Sequence, residues 1–321
     1  MLKDVQIGND TQPHAPIGLG CSFYGVARYD ESEVAELLDA MAASLDGGIT
    51  HFDTAHDYGN GESERLIGRF LAEDVSRRDH ILLASKANLR DMSAVAMQRA
   101  IDVSRQRLGT DVIDIYYVHW PISDADMRPW AEALESARRQ GQIRAIGVSN
   151  FSIAQIEQVA EVAQIDALQL GYNLLWRFPE VDLIPFCHER GISVIAYSAL
   201  ASGILGGKYQ RRLSFAPHDQ RWGILYFRDA IWGALHPLIE QFNDVAARAG
   251  IPLSQLALRW ILHQPGVTAA LVSAKDRRQA LANCSALEAE IDVSILEELG
   301  AISDDAMKHI PAEGNPFGYL S

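Results

Sequence analysis

Short apolar runs alternate with segments of helical period along nearly the whole chain. The runs fall at residues 17–20, 49–53, 81–85, 112–118, 145–148, 167–170, 193–197 and 268–272. They are too short for helices and rich in Ile, Val and Tyr, which reads as strand. Between them, segments 33–45, 64–71, 93–108, 129–140, 153–163 and 183–190 place apolar residues on single helical faces. Val34, Leu37, Leu38, Met41 and Leu45 form the first such stripe. Gly47-Gly48, Gly109, Gly141 and Gly191 sit just past the helix ends, where a left-handed cap needs no Cβ. Eight strands alternating with helices predict an α/β fold, a (β/α)8 barrel forming one domain over residues 1–321. A doubly wound sheet is the alternative.

The repeat is broken in two places. Residues 206–232 form a long, aromatic-bearing connection after the seventh run, and two extra helices, 234–249 and 253–263, precede the eighth. The first fifteen or so residues read as a short hairpin capping the barrel floor, with Gly8-Asn9 as its turn.

At 321 residues and 48% hydrophobic, the chain can bury a large core. A formal net charge of −14 and a pI of about 5.1 argue against nucleic-acid partners, since phosphate backbones would be repelled. Cys21, Cys187 and Cys284 are isolated and odd in number, which fits reduced thiols in a cytoplasmic protein. No segment reads as a signal peptide or membrane span.

Barrel enzymes carry their chemistry on loops at the carboxyl ends of the strands. The second run ends in Asp53 and leads to Tyr58, the third leads into Lys86, and the fourth into His119-Trp120. An ammonium beside a phenol favours the phenolate and should lower its pKa. A carboxylate would hold that lysine charged, and a histidine could donate to the same oxygen or shuttle a proton. Such a phenol can protonate an alkoxide. No side chain supplies hydride, so a nicotinamide cofactor is implied. Gly18-Leu-Gly20-Cys-Ser-Phe-Tyr-Gly25 lacks the GxGxxG spacing, and residues 203–208 do not make a P-loop, so the cofactor needs a site of another kind.

The chain resembles the aldo-keto reductases from about residue 17 to 287. The resemblance is carried in order by Asp53-Thr-Ala-His-Asp-Tyr58-Gly59, Ser85-Lys86, Tyr117-Val-His119-Trp120, Gly147-Val-Ser-Asn-Phe151, Gln169-Leu-Gly-Tyr-Asn173 and Ala196-Tyr-Ser-Ala-Leu200. It implies NADPH-dependent carbonyl reduction on a (β/α)8 barrel, with NADH as the alternative cofactor. Tyr58 then matches the general acid, Asp53 and Lys86 its tuning pair, and His119 the residue orienting the substrate oxygen. Ser149, Asn150 and Gln169 match the carboxamide contacts, and Tyr197 the ring stacking on the nicotinamide. Ser198, Leu200 and Ser202 match the pyrophosphate loop. Ser273, Lys275, Gln279 and Asn283 fall in a segment resembling the adenosine site, with Lys275 at the 2′-phosphate. Ser273 and Ala282 depart from the glycine and acidic residue common in longer members.

Tyr24, Trp120 and Trp176 follow strands and are expected to rim the pocket. Loops 24–30, 120–127, 176–180 and 206–232 would carry substrate identity, leaving aldehydes, ketones and sugars open in either direction of reaction. Two other readings exist: a cofactor-sensing regulatory subunit with little turnover, and a metal-dependent hydrolase using His51, Asp53, His56 and Asp57. The second lacks the well-spaced histidines such sites use, and no metal is expected. The implied partner is a small carbonyl or sugar; oligomeric state is not read.

Overall fold

The structure is a computed structural model that describes residues 2–8, 11–25, 30–207, 209, 213, 215, 219–312 and 314. Strands β1 (Ile17–Gly20), β2 (His51–Asp53), β3 (Leu82–Ala87), β4 (Ile113–Val118), β5 (Ile143–Ser149), β6 (Ala167–Gly171), β7 (Ser193–Tyr197) and β8 (Val267–Val272) form a closed barrel in chain order. All neighbours pair in parallel, and β8 returns to β1. The helices are α1 (Glu31–Asp46), α2 (Glu62–Glu73), α3 (Ala94–Leu108), α4 (Arg128–Arg139), α5 (Ile153–Ala160), α6 (Leu183–Glu189), α7 (Asp229–Ala249), α8 (Leu253–His263), α9 (Arg277–Glu288) and α10 (Val293–Met307).

Local signals explain the boundaries. Asp30 accepts from the Ser32 and Glu33 amides while Glu33 reaches back to the Asp30 amide, a capping box that starts α1. Gly109, at φ 64°, closes α3 in the left-handed region. Helix α7 starts at Asp229, five residues before the sequence reading placed it, and carries Pro237 inside. Its first turn includes Trp232, which is buried in the core and was read from the sequence as part of the preceding connection.

The period of two along the strands sorts the core into two shells. Leu82, Ala84, Ile115, Tyr117, Ala145, Ala167, Ile195, Ala269 and Leu271 fill the barrel interior, and Ile7 from the N-terminal segment plugs its floor. The alternate residues face the helices in one continuous outer core. Tyr117 fits inside because Gly147 lies beside it on β5, where a Cβ would stand 2.1 Å from the ring. Among the described residues the expected hairpin shows one antiparallel bridge, between Val5 and His14, and the Asn9 half of its turn lies outside them. His14 meets His51 of β2 edge to face, with ring centroids 5.2 Å apart.

Candidate active site

The inward-facing positions continue upward to the carboxyl ends of the strands, and there the polar residues gather. One period above Ala84 is Lys86, above His51 is Asp53, above Tyr117 is His119, above Ala167 is Gln169, and above Ile195 is Tyr197. The alternation that builds the core therefore also aims these side chains at one mouth of the barrel.

The Lys86 ammonium is fully buried. It donates to Asp53 Oδ1 at 2.5 Å and to the Thr54 carbonyl at 2.8 Å. Asp53 Oδ2 accepts from Gln169 Nε2 at 2.9 Å across the barrel. Burial alone would lower Lys86, but the Asp53 carboxylate and the Tyr58 hydroxyl outweigh it, and its pKa stands above the usual value. The Tyr58 ring centroid lies 5.2 Å from Lys86 Nζ. The expected fall in the Tyr58 pKa is reversed: desolvation pushes the phenol up, and the Lys86 ammonium offsets only part of that. Tyr58 thus holds its proton at neutral pH, as a proton donor must.

The His119 ring packs edge to face on Tyr58, with centroids 5.5 Å apart, and its Nδ1 lies 3.1 Å from Asp57 Oδ1. Burial lowers the His119 pKa, and the bond to Asp57 offsets this in part. The other Asp57 oxygen accepts from Asn88 Nδ2 at 3.4 Å. The loop carrying Asp57 and Tyr58 is braced from behind. Fully buried Glu64 takes Ser85 Oγ at 2.6 Å and Arg107 Nη1 at 3.0 Å, and the same arginine nitrogen donates to the His56 carbonyl at 3.0 Å.

Beside this cluster, Asn150 holds φ 65°, a conformation uncommon outside glycine. Its Nδ2 donates to the His119 carbonyl at 3.1 Å and to Ser149 Oγ at 2.9 Å, while its Oδ1 accepts from the Tyr197 hydroxyl at 2.7 Å. Most of the hydrogen-bonding capacity expected to meet a carboxamide is therefore spent inside the protein. The loop after β7 holds three further non-glycine residues at positive φ: Ser198 at 56°, Ala201 at 46° and Ser202 at 56°. Asn173 Nδ2 donates to the Ser198 carbonyl at 3.0 Å and fixes its base. Strain of this kind persists only where surroundings impose it, and backbone turning through the left-handed region gathers amides into anion cradles.

On the far side of the mouth, exposed Ser273 donates to the Gly20 carbonyl at 2.7 Å, and Asn283 Nδ2 donates to the Ser273 carbonyl at 3.2 Å. The Lys275 amide donates to Gln279 Oε1 at 3.1 Å, and its ammonium stands 3.6 Å from the Phe23 ring centroid. Arg277 is paired with Asp39 at 2.9 Å.

Two expected pocket aromatics are placed differently. Tyr24 is buried, its hydroxyl donating to the Ala274 carbonyl at 2.6 Å, so it ties the β1 loop to the β8 loop rather than lining a rim. Trp176 is buried against Phe178 with ring centroids 4.9 Å apart. Trp120 stays half-buried next to His119. Residues 26–29 and much of 208–218, both counted among the specificity loops, lie outside the described residues. Sequence reasoning weighed Asp57 only as a metal ligand and Asn173 only as part of a motif, not as partners of His119 and the Ser198 carbonyl, and it passed over the Glu64–Arg107 pair. The only hint was polar residues standing next to motif positions, and it gives no partner. Among the described residues no group of three His, Cys, Asp or Glu side chains could hold a metal ion, and no helix is long and apolar enough to cross a membrane. His51 points to the floor with His14, apart from His56 beside Arg107.

Residues 16–304 match the sequence pattern of the aldo/keto reductase family. An aldo-keto reductase of Bacillus subtilis, YhdN, is 34% identical over 268 residues, 81% of each chain. An NADH-specific methylglyoxal reductase of Escherichia coli is 29% identical over 324 residues, 93% of this chain and 98% of that one. Among solved structures, the glycerol dehydrogenase of Gluconobacter oxydans superposes with a TM-score of 0.85 at 28% identity, covering 99% of each chain. An aldo-keto reductase of Klebsiella pneumoniae in complex with NADPH does so with a TM-score of 0.75 at 28% identity, covering 100% of each.

Proposed function

Since this chain belongs to the aldo/keto reductase family of oxidoreductases, we propose that it interconverts a small carbonyl compound and its alcohol with NADP as the hydride carrier. The observation that carries the reading is the fully buried Lys86 ammonium, 2.5 Å from Asp53 and close under the Tyr58 ring. A desolvated ion pair is costly to build, and one set beneath a single phenol serves that phenol's protonation.

The barrel mouth fits a nicotinamide dinucleotide. Tyr197 offers an aromatic face, Ser149 and Gln169 offer polar groups beside it, the strained turn from Ser198 to Ser202 suits a pyrophosphate, and Lys275 suits a 2′-phosphate. The bound cofactor supplies or accepts hydride at C4 of its nicotinamide. Tyr58 gives its proton to the carbonyl oxygen as the carbon is reduced. Lys86 stabilises the phenolate left behind, with Asp53 holding the lysine charged. His119 contacts the same oxygen, and Trp120 helps to close the site. Support for NADP comes from the NADPH complex of the Klebsiella relative and from Lys275. The NADH-specific Escherichia relative makes NADH the comparison to run.

The test titrates the protein with NADPH and, separately, NADH by tryptophan fluorescence, then assays small aldehydes and polyols with the wild type and Tyr58→Phe. Saturable NADPH quenching, weaker NADH quenching and a Tyr58→Phe loss of about 10²-fold or more are expected. Binding of neither cofactor overturns the hydride-transfer reading. Full turnover by Tyr58→Phe removes Tyr58 from the acid role, and tight binding without turnover points to a cofactor-sensing protein.

A further inference from the structure

We propose that Asp57 is a positioning residue that fixes His119 with its proton on Nδ1. Neutral His119 then offers Nε2 to a substrate only as a hydrogen-bond acceptor, and only the imidazolium offers it as a donor. The proposal rests on the hydride-transfer reading above for its substrates, though its geometry stands without it.

An ionised carboxylate accepts hydrogen bonds and cannot donate them. With Asp57 Oδ1 at 3.1 Å from Nδ1, the hydrogen between them must belong to the ring. Burial would raise Asp57, but the bond to His119, that ring's charge when protonated and the bond to Asn88 hold it below the usual carboxylate range, so it is ionised at neutral pH. The main chain beneath the ring is fixed, the His119 amide donating to the Ala87 carbonyl at 2.9 Å and its carbonyl accepting from Asn150 at 3.1 Å, and the ring packs against Tyr58 at an interplanar angle of 78°. The charged and titratable groups facing it are Asp57 and Tyr58 from the loop after β2, Asp53 from β2 and Lys86 from β3. Lys86 opposes a second positive charge, and the two carboxylates favour it.

The consequence is a site whose hydrogen-bond polarity changes with one proton. A carbonyl oxygen has only lone pairs. Beside neutral His119 it accepts from Tyr58 but faces a second lone pair at Nε2. A hydroxyl can accept from Tyr58 and donate to Nε2 at once. The alcohol is therefore the better fit above the His119 titration and the carbonyl the better fit below it. A neutral ring protonated on Nε2 would show no such preference.

The test has two arms. Long-range ¹H–¹⁵N spectra of the imidazole rings, with His119 assigned by its loss in His119→Gln, read the tautomer directly and need no turnover. Above the ring's titration the wild type should show Nδ1 protonated and Nε2 bare, Asp57→Leu a mixture, and Asp57→Glu the wild-type pattern. In the second arm, the carbonyl KM of the wild type should rise about tenfold as His119 loses its proton, the size of one unmade hydrogen bond. The KM of the matching alcohol should not rise. Asp57→Asn, whose amide can donate to Nδ1 as well as accept from it, should flatten the carbonyl dependence with a smaller change in kcat. Nε2 protonated in the wild type, or the same tautomer in Asp57→Leu, overturns the proposal. An absence of turnover in a wild type with the expected tautomer instead counts against the hydride-transfer reading alone.

Discussion

Replacing Lys86 by Met should expose how much of the barrel mouth depends on one ion pair. Lys86 is wholly buried and Asp53 nearly so, at 3% exposure. The substitution keeps the volume roughly constant, deletes the ammonium 2.5 Å from Asp53 Oδ1 and leaves the Thr54 carbonyl without its donor. Asp53 keeps only the amide hydrogen of Gln169 at 2.9 Å. Removing one partner of a buried pair costs about 3–5 kcal/mol, since a charge stays behind in a low-dielectric site. That is a large part of the ~5–15 kcal/mol that holds a typical domain together. Urea unfolding followed by circular dichroism should show the midpoint falling with little change in slope. Adding Asp53→Asn removes the stranded charge, and the double variant should recover most of the loss, with a coupling of at least ~2 kcal/mol. A Lys86→Met cost under about 1 kcal/mol, or a double variant no better than the single, would refute the view that the two charges are desolvated and mutually neutralised.

Three further outcomes follow from the geometry. Gly147→Ala sets a Cβ 2.1 Å from the Tyr117 ring, and thermal unfolding should register a loss of ~1–3 kcal/mol from overpacking. His14 and His51 are both lowered by burial, His51 also by His14, and three of their four ring nitrogens lack hydrogen-bond partners among the described residues. A lowered folded pKa means the unfolded chain takes up more protons, so urea midpoints should drop as pH falls below about 6.5, and a His51→Leu variant should lose much of that slope. Asn173→Ala frees the Ser198 carbonyl and the buried Leu175 amide and should weaken NADPH binding about tenfold or more, since one unmade hydrogen bond is worth about that much, with kcat changed less; equal losses in both would mean the residue acts on chemistry instead.

Sequence alone determined the barrel, because the alternation of short apolar runs with helical stripes is a local property of the chain and only a few topologies bury both. It also placed Asp53, Lys86 and His119 at strand ends, since a period of two carries an inward residue to the next inward position. The extent of α7 was less legible, because its first turn, Asp229–Trp232, adjoins the long aromatic-bearing connection and Trp232 reads equally as part of it. The Asp53–Lys86 pair was anticipated, but most other hydrogen-bond assignments were not legible. Which oxygen of Asp53 meets Lys86 and which meets Gln169, 116 residues away, depends on strands brought together only by closure of the barrel. The same holds for Tyr24, whose hydroxyl found a carbonyl 250 residues on and left the pocket rim for the core. The protonation of Tyr58 was decided by tertiary structure too. The sequence supplied a neighbouring cation, but the depth of burial, which exists only in the folded chain, outweighed it and kept the phenol neutral.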